Sequence, residues 1–196
     1  MTPDQLKVYE EIVGGPRERI VGALRAAIHC PELADRWQKF GALLRYDVSL
    51  PVRLKEIVIL VTARRWNSQV QWQVHVTYAR EAGVPDPIIE AIRHGRSPAF
   101  VDRAEAAIYD YARELLERGE VSSELYENVL QNLHEVGVVE LTALIGYYSM
   151  VAMTLSAHEI PLPTEGSLTL PVLGDSADPA VVTLSLLGPA LIVRDL

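Results

Sequence analysis

Glu56 and His75, nineteen positions apart in this 196-residue chain, are the pair whose types and settings could do acid–base chemistry. Glu56 stands directly ahead of Ile57-Val58-Ile59-Leu60-Val61, so its carboxylate belongs to a helix whose next five residues are apolar. A carboxylate in such a setting faces packed neighbours and must be paired or held protonated, because burying it unpartnered is costly. Further on, Ser68, Gln71 and His75 fall at i, i+3 and i+7, which puts three polar side chains on one helical face. A histidine there can act as a general acid or base near neutral pH, and a glutamate can fix its tautomer. Between them, Ala63-Arg64-Arg65-Trp66 brings two guanidinium groups to the C-terminal end of the first helix, where positive charge is favoured.

These residues need two successive helices to bring them together. The first is expected from about Pro51 to Trp66, apolar all round in its middle and so buried on most sides. The second follows the cap Asn67 and runs to Ala82, with Gly83 as its stop. A short turn makes such helices roughly antiparallel. Glu56 and His75 then sit at similar heights, roughly 12–15 Å from the turn at about 1.5 Å per residue. Helix axes about 8–10 Å apart leave a gap that the two side chains can bridge. The expectation is a hydrogen bond, direct or through one water, facing a pocket.

The rest of residues 1–160 also reads as helix. Thr2-Pro3-Asp4-Gln5 is a capping box with proline at the first helical position, opening a helix to about Val13. A second is expected from about Arg17 to Ile28. A third opens at Cys30-Pro31-Glu32 and carries Leu33, Trp37, Phe40, Leu43 and Leu44 on a helical period. Asp86-Pro87 starts a short helix ending at Gly95, and a longer one runs from about Val101 to Arg118. Two more cover Ser122 or Ser123 to about His134, and Val138 to about His158. Glu140 ahead of its own apolar helix is a weak echo of Glu56. Residues 161–196 are broken by Pro161, Pro163, Pro171, Pro179 and Pro189, and read as an extended tail with short β-prone runs at 168–170, 181–184 and 191–193. The tail is too apolar to be a free disordered segment. The fold class is therefore all-α, a helical domain over 1–160 with an extended tail over 161–196.

Composition narrows the function. Hydrophobic residues make up 49% of the chain, enough for a sizeable core, and the formal net charge is -8. No basic stripe is present, so no nucleic-acid partner is expected. No run of about 18 apolar residues is free of charge, so no membrane span is expected. The acidic, amphipathic N-terminus is not a signal peptide, which leaves a cytoplasmic location as the expectation. Cys30 is the one cysteine, so no internal disulfide or Cys-x-x-Cys motif can form. His29, His94, His134 and His158 are scattered without ligand spacing, and neither metal nor cofactor is expected.

The runs Leu54-Lys55-Glu56-Ile57-Val58-Ile59-Leu60, Ala63-Arg64-Arg65-Trp66, Gln71-Trp72-Gln73-Val74-His75 and Ala79-Arg80-Glu81-Ala82-Gly83 resemble the carboxymuconolactone decarboxylase family. Val139-Glu140-Leu141, Gly146-Tyr147-Tyr148 and Ile160-Pro161-Leu162-Pro163 are similar to the second half of many such proteins. The resemblance implies an alkylhydroperoxidase D-like helical bundle, assembled as a homo-oligomer (trimers and hexamers both occur in such folds). It also implies a cofactor-independent lyase acting on a small carboxylated lactone or related unsaturated acid. In that role Arg64 or Arg65 would hold an anion, His75 would move the proton and Glu56 would orient His75, with Ser68 and Gln71 beside the substrate. The peroxidase branch of the superfamily carries a glutamate, then Cys-x-x-Cys beginning twelve residues on, then a histidine four after the second cysteine. Here the cysteine positions are Ser68 and Gln71. The alternatives are a redox protein of that type and a non-catalytic oligomer that binds a small acid.

Plainer readings stand beside these. Glu56 could be a structural carboxylate paired with an arginine, and His75 a hydrogen-bonded core histidine. Arg64 and Arg65 could be surface or interface residues, and Tyr147-Tyr148 and the three tryptophans packing. With Ser68 and Gln71 in the thiol positions, we predict no peroxide reduction that draws on lipoyl or thioredoxin-like reductants. A coupled peroxidase assay with those reductants checks this, and robust turnover would overturn it.

Overall fold

The stretch from Lys55 to Arg64 is buried at every position, and this decides how the chain folds. A helix buried on all faces needs neighbours on all sides. In the computed structural model, which describes residues 1–162 and 169–173, that helix is α4 (Val52–Arg65). It packs against α5 (Gln69–Glu81), α6 (Asp86–Arg93), α7 (Arg103–Arg118) and α8 (Ser123–Ala157). Ile57, Leu60, Trp72, Ile89, Ile108, Leu141 and Leu144 fill the space between them. Ahead of this core come α1 (Pro3–Gly14), the single turn α2 (Leu24–Ala27) and α3 (Pro31–Ala42), with α1 and α2 both laid on α3. No strand occurs among the described residues.

Local chemistry sets several boundaries. Thr2 accepts from the Gln5 backbone N–H while Gln5 Oε1 accepts from the Thr2 backbone N–H, the reciprocal capping box expected there. Asp102 caps α7, and Gly119 ends it in the left-handed region at φ 77°. Arg53 at the start of α4 grips both oxygens of the buried Glu105 on α7. Its Nη1 also donates to the Gly83 carbonyl after α5.

Three expectations need correction. The helix expected from Arg17 to Ile28 is reduced to Leu24–Ala27. Gly14-Gly15-Pro16 interrupts the backbone, and Glu18 and Gly22 take positive φ, so 15–23 runs as an irregular loop. Asn67 is not the cap of α5; it sits at φ 50°, and Ser68 takes the cap position. The two helices expected on either side of His134 form one span, α8, broken at that residue, whose φ 56° and ψ 178° are not helical. After α3 the chain widens into a π-helical turn, Leu43–Asp47, which the periodicity did not foreshadow.

By length and composition α8 could cross a membrane, but half of its most apolar stretch is buried inside the protein. Of the tail, residues 161–162 and 169–173 are described and are irregular in backbone. Leu170 and Leu173 are buried. The β-prone runs at 181–184 and 191–193 lie outside the described residues, as does Leu168 of the third.

Leu60 is fully buried at the centre of this packing. We predict that Leu60→Ala lowers unfolding stability by about 2–5 kcal/mol, the range for buried leucines. Val101→Ala, at a fully exposed site, should change it by less than about 0.5 kcal/mol. Urea titration of both variants measures the difference; equal stabilities would remove α4 from the centre of the core.

Candidate active site

Glu56 and His75 meet. His75 Nδ1 lies 2.7 Å from Glu56 Oε2, and the two residues are 5% and 4% exposed. The bond joins α4 to α5 through the turn at Asn67, where Arg64 Nη2 donates to Asn67 Oδ1 at 3.0 Å. A carboxylate oxygen accepts, so the pairing assigns the ring proton to Nδ1 and leaves Nε2 for a ligand. Tyr148 on α8 packs edge-on against the imidazole, with ring centroids 5.1 Å apart, and Tyr78 lies tilted at 5.9 Å.

His75 opens onto a cavity of about 520 Å³. Its walls come from the 15–23 loop, α2, α3, the π-helical turn, α5, α8 and residues 160–162. Val70, Val74, Val151 and Leu155 make an apolar lining, with Tyr78, Tyr147 and Tyr148 as aromatic faces. Four arginines also line it, Arg17, Arg19, Arg25 and Arg45, and among the described residues no aspartate or glutamate does. A concave, mostly apolar space with a few convergent polar groups is the usual form of a small-ligand site. In this one every charged lining group is a cation, so it favours an anion.

Arg45 shares both aromatic neighbours of the histidine, Tyr78 and Tyr148. Its guanidinium carbon lies 4.4 Å from the Tyr78 ring centroid, and its Nη1 is 3.4 Å from the Tyr148 hydroxyl. Lys55 Nζ donates to the Arg45 carbonyl at 2.6 Å and so fixes the turn that carries it. Burial pulls Arg45 down, but Tyr148, Glu56 and Tyr46 outweigh that and hold it above its ordinary value. Burial holds the Tyr148 hydroxyl far above its usual range, against the opposing pull of Arg45. Tyr148 is therefore a neutral hydrogen-bond donor at physiological pH.

The other residues singled out from the sequence divide. Gln71, one turn before His75, lines the same cavity; its Nε2 donates to the Ile59 carbonyl, while its buried Oε1 has no partner. Ser68 is buried at the start of α5 and is not part of the lining. Arg64 and Arg65 are not brought to this cavity. At about 100° per residue, they point about 80° and 180° away from Glu56 around α4 and lie a further 12–14 Å or so along it. Arg64 Nη1 donates to the carbonyls of Arg93 and Pro171, and Arg65 Nε to that of Leu116. Burial pushes Arg64 down to about 10, still charged at neutral pH.

The partners of Arg64 show how the tail is held. Gln69 makes two bonds to the Leu170 backbone, Nε2 to its carbonyl at 2.9 Å and Oε1 from its N–H at 2.8 Å. Arg93 Nε donates to the Thr169 carbonyl at 2.7 Å. Cys30 is exposed and outside the cavity. Among the described residues no group of three histidine, cysteine or acidic side chains is placed to hold a metal ion.

An all-α bundle with a histidine–glutamate pair at the head of a cationic cavity is the class of protein defined so far. The carboxymuconolactone decarboxylase family profile matches residues 31–129. The chain belongs to that family. Among solved structures it is similar to an uncharacterized peroxidase-related protein from Silicibacter sp. TM1040, with a TM-score of 0.69 at 15% identity over 86% of this chain and 90% of that one. It is also similar to the debrominase Bmp8 in complex with 2,3,4-tribromopyrrole, with a TM-score of 0.63 at 14% identity over 83% of this chain and 87% of the other. The apo form of Bmp8 gives a TM-score of 0.64 at 13% identity. Likeness at these identities is a likeness of fold. No curated protein matches the sequence.

The contact between Glu56 and His75 has a direct spectroscopic consequence. We predict that heteronuclear NMR of the imidazole nitrogens finds His75 protonated at Nδ1. Glu56→Leu, which removes the acceptor, should abolish that preference. A His75 protonated at Nε2 in the unmodified protein would overturn the assignment.

Proposed function

We propose that this protein is a cofactor-independent lyase acting on a small carboxylated lactone or related unsaturated acid. The observation that carries the reading is His75, paired through Nδ1 with buried Glu56, facing a cavity whose charged lining is all arginine. Family membership supports it. In such a reaction the carbon–carbon bond to a carboxylate breaks and carbon dioxide leaves. The electron pair passes into the conjugated lactone carbonyl as an enolate, and a proton then returns to carbon. Such a reaction asks the protein to hold the anion, stabilise the developing oxyanion and move one proton.

Arg45 takes the anion-holding role that the sequence suggested for Arg64 or Arg65, because it shares both aromatic neighbours of His75 and lines the same cavity. His75 moves the proton through Nε2, and Glu56 keeps the other nitrogen protonated. Gln71 lies along the same wall. A homo-oligomer is part of the proposal: Val136, Val139, Met150 and Met153 are exposed on α8 at successive spacings of three, eleven and three residues, which puts them on one face, a surface that a second copy would cover. A cytoplasmic location is part of it too.

The test is release of carbon dioxide from carboxymuconolactone and related unsaturated lactone acids. We predict that His75→Ala lowers kcat by about 10²–10⁴-fold, the usual contribution of a positioned acid–base group. Glu56→Gln should be milder, and Arg45→Met should raise KM. A His75→Ala protein with undiminished turnover, or turnover that demands a reductant, would overturn the proposal.

A further inference from the structure

Lys55 is 5% exposed on α4, directly before Glu56, and the acid–base reading gives it no part. Its Nζ donates at 2.6 Å to a neutral acceptor, the Arg45 carbonyl. Burial pulls the ammonium below its ordinary value and the Arg45 guanidinium pulls the same way, while Glu56, Glu140 and Asp47 oppose them. Burying an ammonium is costly, and aiming it at a carbonyl instead of a carboxylate recovers little of that cost as an ion pair. What the bond supplies is direction.

The carbonyl belongs to a turn that needs outside support. Leu43–Asp47 is a single π-helical turn, and Val48 after it is extended at φ -84° and ψ 159°. The last carbonyls of a helix have no partner within it, and π-helical turns are frequent at functional sites. Lys55 supplies the donor for Arg45, and Glu140 on α8 accepts from the backbone N–H and the hydroxyl of Ser49 at 2.9 and 2.6 Å. The Arg45 guanidinium itself has softer holds. One is the face of the Tyr78 ring, a broad contact, and the other is the Tyr148 hydroxyl at 3.4 Å, long for a hydrogen bond. Neither would keep it in place if the backbone beneath it moved.

Lys55 and Glu56 are successive on α4, about 100° apart around its axis. Glu56 reaches forward to His75 on α5, and Lys55 reaches back to the turn that carries Arg45. Two neighbouring residues of one buried helix thus hold both groups that face the cavity. Lys55 itself is not part of the cavity lining.

We propose that Lys55 is a positioning residue: through the Arg45 carbonyl it sets where the Arg45 guanidinium stands in the cavity. It touches no substrate. The inference rests on the reading above in taking Arg45 as the group that holds the anion.

Lys55→Met tests this. It keeps the length of the side chain, removes the donor and takes a buried charge out of the core, a change that folded proteins often tolerate. Proton–nitrogen NMR of the arginine Nε–H groups in the full chain reads the result with no ligand present. In the unmodified protein the ring current of Tyr78 should displace the Arg45 signal; Arg45→Lys identifies that signal by its loss, and Tyr78→Leu should return it to the free-arginine position. Lys55→Met should return it as well. Lys55→Arg, which keeps a donor on a long stem, should leave it displaced. Lys55→Gln, too short for that carbonyl, should behave as the methionine variant does and keeps the test decisive if Lys55→Met folds poorly. In turnover of the unsaturated lactone acids, Lys55→Met should raise KM about tenfold and leave kcat within about threefold. Added to Arg45→Met it should change nothing further, because two substitutions that remove one contact do not add. A lysine that only stabilised the core would leave the Arg45 signal displaced in the methionine and glutamine variants, and its effect on KM would add to that of Arg45→Met. Either result overturns the proposal. An Arg45 signal that depends on Lys55 in a protein that releases no carbon dioxide retires the lyase reading alone. Turnover through His75 with that signal indifferent to Lys55 retires the positioning role alone.

Discussion

A carboxylate enclosed in the buried stretch of α4, just ahead of five apolar residues, is the constraint on which the rest of the site depends. Glu56 has Ile57 through Val61 packed behind it, and leaving it unpartnered there would cost several kcal/mol. The hydrogen bond from His75 Nδ1 resolves this and at the same time fixes the ring's tautomer and the direction of Nε2. Because the partners sit on consecutive helices, the bond also sets the register of α4 against α5. Asn67 in the left-handed region, held by Arg64, closes the turn between them.

Two sets of arginines in this acidic chain have different tasks. Arg53, Arg64, Arg65 and Arg93 donate to main-chain carbonyls, and their job is architectural: the first three tie α4 to Gly83, to α6, to α7 and to residue 171, and Arg93 ties α6 to residue 169. Arg17, Arg19, Arg25 and Arg45 face the cavity. With a formal net charge of -8 on the whole chain, concentrating positive charge on one apolar-walled hollow gives that hollow a potential opposite to the surface around it. On the proposed function, these four arginines are what would draw a small anion to the site, a feature that the net charge of the whole chain conceals.

Helix α8 contributes to both the core and the site. Leu141, Leu144 and Ile145 pack inward, and Tyr147 and Tyr148 bring two hydroxyls to the cavity. Glu140, one turn earlier, accepts from both the backbone and the hydroxyl of Ser49 and anchors the segment just ahead of α4. The echo between Glu140 and Glu56 is thus one of sequence pattern, since the first caps a loop and the second holds a histidine.

Local rules carried much of this into the sequence. The capping box at Thr2, the stops at Gly83 and Gly119, and the all-apolar run after Glu56 each act within a turn or two of chain, so helix order and the buried status of α4 were legible without coordinates. The Glu56–His75 contact was legible as well, because equal distances from one short turn fix relative height. What only the tertiary structure decided involves residues far apart. Arg64 and Arg65 looked suited to an anion because they follow Glu56 closely, but helical rotation carries them to other faces, where carbonyls from 93, 116 and 171 claim them. Arg45 stood in no motif and enters the site through a π-helical turn that no periodicity announces. Arg17 was assigned to a helix, and it reaches Tyr147, 130 residues away, because positive φ at Glu18 and Gly22 unwinds that stretch and Gly41 leaves room above α3. Periodicity and capping report on neighbours along the chain; which cation faces a cavity depends on how separate helices rotate and pack, and that is settled by the fold as a whole.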